Sequence, residues 1–475
     1  MTRAAGSEFQ ERQLDARATV LAPGRSTRVG EYVLYWMQST QRFEENWALR
    51  FAVREADARG LPLLVYQGLD PTYEFASDRV HTFILEGARE LAARAERLGL
   101  SYLFSLRERR RDDRRVVDRL AARAACVITD DYPTAGVRER TIRFAARTRA
   151  PVVAVDSVGI VPASYFPRAE YAARTVRPKI LAALDSALEP IRDRPPRRAM
   201  PDRLLRSLEL DPFDLVSADI PSTVARCEID HAVPPISIHG GMSPARHRLR
   251  SFVRHSAATY DVDRREPSTN TSTNTSTSGL SPWLHFGMIS SPEVVRAVIA
   301  AAPPPAARES FLNEIVVWRE LALNLCHRTP RFRTMHALPS WARRTLAAHD
   351  ADRREAKYSL AELERAETRD AIWNAAQREL IATGVIHNAV RQLWGKSVIR
   401  WTQRPSDVLR RLIHLNDRWA IDGRDPNSYA NILWCLGKFD RPFAERRVWG
   451  TVRPMMLERA RGKFNVDAYV ARWNI

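Results

Sequence analysis

A change of periodicity along the chain constrains its fold more than any other feature. Through residue 160, short apolar runs rich in β-branched and aromatic residues recur: EYVLYWM (31–37), LPLLVYQGL (61–69), SYLFSL (101–106), ACVITDDY (125–132) and PVVAVDSV (151–158). Between most of them lie helical patterns. In 80–99, for example, Phe83, Leu85, Leu91, Ala92 and Leu98 fall near one face at the 3.6-residue period. Strands alternating with helices predict a Rossmann-like α/β domain, with a parallel sheet covered on both faces. No GxGxxG follows the first run, so the usual dinucleotide fingerprint is missing. From 246 onward strand signals almost vanish and helical periodicity takes over, which predicts a nearly all-α second domain. The Pro- and Arg-rich stretch EPIRDRPPRRAMPDR opens a weakly periodic region, read as a linker packed on the surface. The expected organisation is therefore 1–185 α/β, 186–245 linker and 246–475 helical.

Charge points to the partner. Lys plus Arg exceeds Asp plus Glu by 74 − 56 = 18 over 475 residues, a surplus that suits a polyanion such as nucleic acid. The ordinary alternative is a solvated Arg-rich surface. Cys126, Cys227, Cys326 and Cys435 are far apart and form neither a CxxC pair nor a metal-binding spacing with histidine. No apolar run reaches the ~18–20 residues of a membrane span, and the N-terminus lacks the apolar stretch of a secretory signal. A reduced, cytoplasmic, metal-free protein is expected. The repeat STNTSTNTSTS (268–278) has no apolar residue to pack and reads as a flexible loop insertion.

Four features in the second half carry chemistry. Ten of the twelve tryptophans lie there. Trp394 and Trp401 are seven residues apart on one predicted helix, hence on one face and about 10 Å apart along its axis; Trp373, on the preceding helix, can dock against that face. Core packing explains most single tryptophans, whereas a series of indoles near a redox cofactor conducts electrons. TSGLSPWLHFG (277–287) brings Thr277, Ser278, Gly279 and Ser281 to a helix start. It suits a pyrophosphate, or else is an ordinary cap. IDGRDPNSYANILW (421–434) places Asp422 and Asp425 on a turn between helices, as a capped connection or as a binding edge for a ribose or a flavin. The stretch 441–463 has seven basic and two acidic residues interleaved with Phe443 and Trp449, a pattern that fits DNA backbone contact or a solvated face.

The blocks EYVLYWMQSTQRFEENWALRFAV, EYAARTVRPKI, LSPWLHFGMIS, VVWRELALNLC, IWNAAQRELIATG, LWGKSVIRWT and LNDRWAIDGRDPNSYANILWCLG occur in that order from about 30 to 455. Together they resemble the class II cyclobutane pyrimidine dimer photolyases. The resemblance implies an α/β antenna domain followed by a helical domain holding a bent FAD. Tyr260, Thr277, Ser278, Gly279, Leu280 and Ser281 are implied to meet its diphosphate and ribityl chain. Arg391 would face the ring and pair with Asp422, with Asp425 nearby and Asn416 beside flavin N5. Trp394, Trp373 and Trp401 match the photoreduction relay. Glu314, Trp318 and Trp434 are implied to line the cavity for a lesion flipped out of UV-damaged duplex DNA, and Arg446 and Arg453 to contact phosphate. A monomer is the family expectation.

Departures from the family pattern narrow what carries over. Gln392 stands where the family usually has a lesion-contacting methionine. DSVGIVP (156–162) differs from the usual Asp-Ala-His-Asn-like version, which leaves open whether a second, antenna chromophore, a deazaflavin or another, is bound. The runner-up function is a cryptochrome-like photoreceptor without repair; the lesion residues discriminate the two. A third reading, a basic DNA-binding protein without photochemistry, is discriminated by flavin absorbance.

Overall fold

The computed structural model describes residues 3–24, 30–267, 276–455 and 461–474. Most of the Ser/Thr/Asn repeat, 268–275, lies outside the described residues. The chain forms two compact units: one of residues 1–165, 185–246 and 283–293, the other of 166–184, 247–282 and 294–475.

The first unit is built on six strands: β1 (Ala18–Ala22), β2 (Tyr32–Met37), β3 (Leu63–Leu69), β4 (Ser101–Leu106), β5 (Ala124–Asp130) and β6 (Val152–Val155), in the order β1-β6-β5-β2-β3-β4. Strands β2 to β6 pair in parallel, as the alternating pattern predicts, but β1 adds an antiparallel edge against β6. Helix α1 (Arg3–Arg17) leads straight into this edge; neither element has a strong apolar period, so both were missed. The central run YVLYWM is buried at all six positions, because helices cover both faces. Val33, Tyr35 and Met37 pack with α2 (Trp47–Arg59) on one side, while Tyr32, Leu34 and Trp36 share a core with Leu120 and Phe144 on the other. Helix α3 (Asp78–Leu98) buries Phe83, Leu85 and Leu91, but Leu98, expected on the same face, is 44% exposed at the helix end.

Asp130, at the C-terminal end of β5, fixes the crevice where strand order reverses between β5 and β2. Its carboxylate accepts the amides of Gln38 (2.8 Å), Ser39 (2.8 Å) and Thr40 (3.1 Å) and the Tyr35 hydroxyl (2.9 Å). The unusual segment 156–162 is likewise tied down: Asp156 accepts the amides of Val158 and Gly159, and the Arg17 guanidinium donates to the carbonyls of Asp156, Gly159 and Ile160.

The second unit is helical, with no strand among its described residues beyond an isolated bridge between Arg446 and Gly450. The four cysteines are free and buried. No described group of three or more His, Cys, Asp or Glu could hold a metal ion, and no described helix is long and apolar enough to cross a membrane.

Replacing Asp130 with alanine strands three buried amides. The expected loss of stability is about 3–5 kcal/mol, read as a lowered urea midpoint; an unchanged midpoint would show that water replaces the carboxylate.

Candidate flavin and lesion site

Three tryptophans form the centre of the helical unit. Asp370 caps the helix Ala371–Thr383 by accepting the Trp373 amide at 2.9 Å, and Gly384 ends it in the left-handed region at φ 69°. The next helix, Asn388–Trp401, carries Trp394 and Trp401. Trp373 inserts between them. Its ring lies 6.3 Å from Trp394, nearly parallel at 7°, and 5.5 Å from Trp401, edge-on at 78°. The spatial order is therefore 394–373–401, an arrangement the sequence spacing left open. All three rings are buried and every indole N–H is satisfied: Trp373 by the Trp394 carbonyl, Trp394 by Gln377 Oε1 and Trp401 by Glu355 Oε1, each at 3.0 Å. Gly395 lets this helix approach Pro426–Cys435, since a Cβ there would meet Cys435 Sγ at 2.7 Å.

The inner end of the indole series meets a polar cluster. Trp394, Arg391, Gln392 and Asn416 line one small cavity with Asn431 and Cys435. Asn416 donates to Asp417 Oδ1 at 2.9 Å. Asp417 also accepts the Arg424 amide (3.0 Å) and the Tyr429 hydroxyl (2.9 Å), and burial pushes its carboxyl upward. Asp417 thus orients Asn416; sequence reasoning passed over it although the Asn-Asp dipeptide was in view. Arg391 and Asp422 face each other across 3.9 Å, too long for a hydrogen bond. Arg391 Nε and Asp422 Oδ1 are both buried with no hydrogen-bond partner among the described residues. A donor and an acceptor left together in this way fit a planar ligand edge with alternating carbonyl and N–H groups, such as that of an isoalloxazine.

Asp425 takes the capping role that the turn's sequence offered. It caps the helix Pro426–Cys435 by accepting the Asn427 amide at 2.8 Å, and it pairs with buried Arg319 at 3.4 Å. Its carboxylate holds the turn that presents Asp422.

The hydroxyl-rich segment has a built backbone. The Thr277 and Ser278 carbonyls accept from Arg248 at 2.8 and 2.7 Å, and Gly279 takes φ 62° with a virtual Cβ 3.0 Å from Arg248 Nε. Leu280 is buried, and Ser281 begins the helix Ser281–His285. Ser276 pairs with His387 Nε2 at 2.9 Å. Because His387 Nδ1 accepts the Ala389 amide, Nε2 carries the proton and donates; burial holds this imidazole neutral, lowering its pKa to about 4. Tyr260 packs edge-on against Phe252 and Phe311, and burial raises its hydroxyl pKa to about 12.

Glu314 and Trp318 lie on one turn of π-helix, Asn313–Trp318, a geometry frequent at functional sites. Glu314 pairs with Arg264 at 2.8 Å, not with Arg319. Trp318 and Trp434 stack on each other, with centroids 4.8 Å apart and planes inclined by 21°. They form one half-buried aromatic platform rather than two walls around an open slot. Gln392 contacts Asn431 and Cys435 instead of pointing at this platform's rings. Arg446 and Arg453 line a separate cavity of about 330 Å³ with Phe443 and Lys463. Arg441 and Arg453 both lie over the Phe443 ring.

Comparison with known proteins identifies the family. The family described as DNA photolyase matches residues 33–198. The chain is 35% identical to the deoxyribodipyrimidine photo-lyase of Methanothermobacter thermautotrophicus, over 93% of this chain and 94% of that one. It is 34% identical to the enzyme of the same name from Oryza sativa subsp. japonica, over 96% and 90%. A bacterial class III photolyase from Agrobacterium tumefaciens shares its fold at 19% identity, with a TM-score of 0.65 over 94% of this chain and 87% of that one. Identity at this level, sustained across both units, places the chain in the DNA photolyase family.

Proposed function

We propose that this protein repairs cyclobutane pyrimidine dimers in DNA in a light-dependent reaction, and that it is of the class II type. The observation that carries the reading is the buried indole series 401–373–394, which ends beside Arg391, Asn416 and the unpaired Asp422 oxygen. Arg391, Asp422 and Asn416 would hold FAD, and its chemistry there would be light-driven electron donation for opening the dimer's cyclobutane ring, with the electron returned at the end.

The chain's own residues supply binding, orientation and electron delivery. Arg391 and Asp422 offer a donor and an acceptor to the flavin edge. Asn416, fixed by Asp417, would offer its amide to flavin N5. The Thr277–Ser281 segment and Tyr260 serve the diphosphate and ribityl chain. Trp401, Trp373 and Trp394 pass electrons inward through rings in mutual contact, which reloads oxidised cofactor without entering the repair step itself. Trp318 and Trp434 receive the extruded lesion on an aromatic face, where stacking replaces what the damaged duplex gives up. Glu314, steadied by Arg264, accepts hydrogen bonds from pyrimidine N–H groups. The π-turn presents Glu314 and Trp318 together.

A thymine-dimer oligonucleotide, illuminated or kept dark with chemically reduced holoprotein, tests the reading directly. Dimer loss only in the light is expected. Intact dimers under illumination, with flavin bound, would leave the light-sensor reading in its place.

Trp401→Phe is expected to abolish photoreduction of oxidised flavin while sparing repair by chemically reduced protein. Absorbance of the flavin under blue light reads the first property; normal photoreduction in the variant would remove Trp401 from the relay. Trp434→Ala is expected to cost about 1–3 kcal/mol of affinity for dimer-containing duplex and much less for intact duplex. Equal losses on the two duplexes would mean that Trp434 does not stack on the lesion.

A further inference from the structure

The basic loop after the helix Pro426–Cys435 is anchored by a histidine that the functional reading does not use. Two backbone bonds fold the loop on itself: the Phe443 amide donates to Thr451 O and the Arg446 amide to Gly450 O, each at 2.9 Å. Its outer surface is then pinned to the segment 345–352. The Val448 amide donates to Asp352 Oδ2 at 2.7 Å and the Thr451 amide to Thr345 Oγ1 at 2.9 Å. Gly450 makes this approach possible: at φ 52°, a Cβ would lie 2.0 Å from Thr345 Oγ1 and 2.9 Å from His349 Cδ2. At the far end Lys396 holds Arg453 O at 2.9 Å.

His349 sits at the centre of this attachment. Its Nδ1 lies 2.8 Å from Asp352 Oδ2, and its Nε2 lies 2.9 Å from Glu445 Oε1 on the loop. A neutral imidazole has one N–H, so it can donate to only one of two carboxylates; an imidazolium donates to both. We propose that His349, as an imidazolium bridging Asp352 and Glu445, is a positioning residue that holds the 441–453 loop in its DNA-binding pose and makes DNA affinity fall as pH rises.

This rests on the reading that the loop meets DNA. Among the described residues none of Arg441, Arg446 and Arg453 is paired with a carboxylate, so their charge is available to phosphate, while the loop's one acidic residue, Glu445, is turned to His349. The other charges around His349 are accounted for. Arg354 donates to the carbonyls of His349 and Asp352, Arg447 lies near Asp352, and Asp350 lies near Arg354. The carboxylates of Asp352 and Glu445 hold the imidazole above its usual value. A raised value in the folded protein means that the clamp is complete below about pH 6.5 and is lost as pH climbs through the higher, folded-state value.

The test measures affinity for dimer-containing duplex from pH 6 to 9 at fixed salt, together with amide exchange at Val448 and Thr451, in the full-length wild type, Glu445→Gln and His349→Gln. Wild-type affinity is expected to weaken about two- to fivefold across the range, and both variants to be weak and nearly flat. Glu445→Gln decides the sign. Removing a negative charge from a DNA-facing loop should tighten binding by electrostatics alone, whereas loss of the clamp loosens it. Because Glu445 is exposed, that variant keeps the fold even if His349→Gln does not. Parallel pH profiles in all three proteins, or unchanged exchange at Val448 and Thr451 in Glu445→Gln, overturn the clamp. A wild type with no affinity for the duplex at any pH overturns the functional reading instead, while amide exchange still reports on the clamp.

Discussion

The helical unit depends on burying three indoles without stranding their N–H groups. Removing rings of this size from water contributes roughly 4–6 kcal/mol each as an upper bound. An unsatisfied N–H returns about 1–3 kcal/mol of that. Burial therefore brings the rings inside, and hydrogen bonding selects how they lie. Trp373 illustrates the division. It is fully buried, and its N–H reaches a backbone carbonyl in the middle of the neighbouring helix. That bond lays its ring parallel to Trp394 and edge-on to Trp401. The same packing that stabilises the unit thus sets the contact between the rings, and the proposed relay would need no separate device to align them.

The Arg391–Asp422 pair differs from the acids around it in holding a buried donor and a buried acceptor that do not meet each other. Three carboxylates near it are engaged: Asp425 caps a helix and pairs with Arg319, Asp370 caps another helix, and Asp417 accepts three hydrogen bonds. Each of these acids holds backbone or a neighbour in place. Asp422 instead keeps one buried oxygen unpaired, and Arg391 one nitrogen. Local rules are most often broken at functional sites, and the break falls where the indole series ends.

Much of this was legible in the sequence, for physical reasons that differ by region. The inner parallel strands were readable because burial on both faces demands continuous apolar runs, and β2 is such a run from end to end, while the partly buried edge strand β4 was readable from its aromatic and apolar residues. The antiparallel edge β1 was not, because an edge strand needs no apolar period and ATVLA is only partly buried. In the helical half, the seven-residue spacing of Trp394 and Trp401 gave their shared face. The insertion of Trp373 between them depends on how two helices pack, which spacing does not encode. The different fates of Asp422 and Asp425 were illegible for a related reason. Both stand on the same polar turn, and only tertiary neighbours reveal that Arg319 claims one of them. Glu355, Gln377 and Asp417, which orient the rings and Asn416, are ordinary polar residues of helices and loops with no motif to mark them.

The closed Trp318–Trp434 platform adds a constraint that the sequence resemblance alone did not suggest. Rings stacked at 4.8 Å leave no room for a base between them, so under the proposed repair function a pyrimidine dimer would either lie against the exposed face of the pair or separate it. Separation costs the aromatic contact, about 0.5–1.5 kcal/mol beyond area burial. That is small beside the stacking an extruded lesion brings, about 1–3 kcal/mol per base. The platform can therefore open for a lesion that has already lost its partners in the duplex. For an intact base the cost of unstacking and unpairing is added, and the balance shifts back toward the closed pair. Placing Trp318 on a π-helical turn suits this, since one wider turn shares the movement among few backbone bonds. Lesion selectivity would then come from a modest difference in opening energy, set by two tryptophans and the turn beneath one of them, rather than from a rigid slot shaped to the dimer.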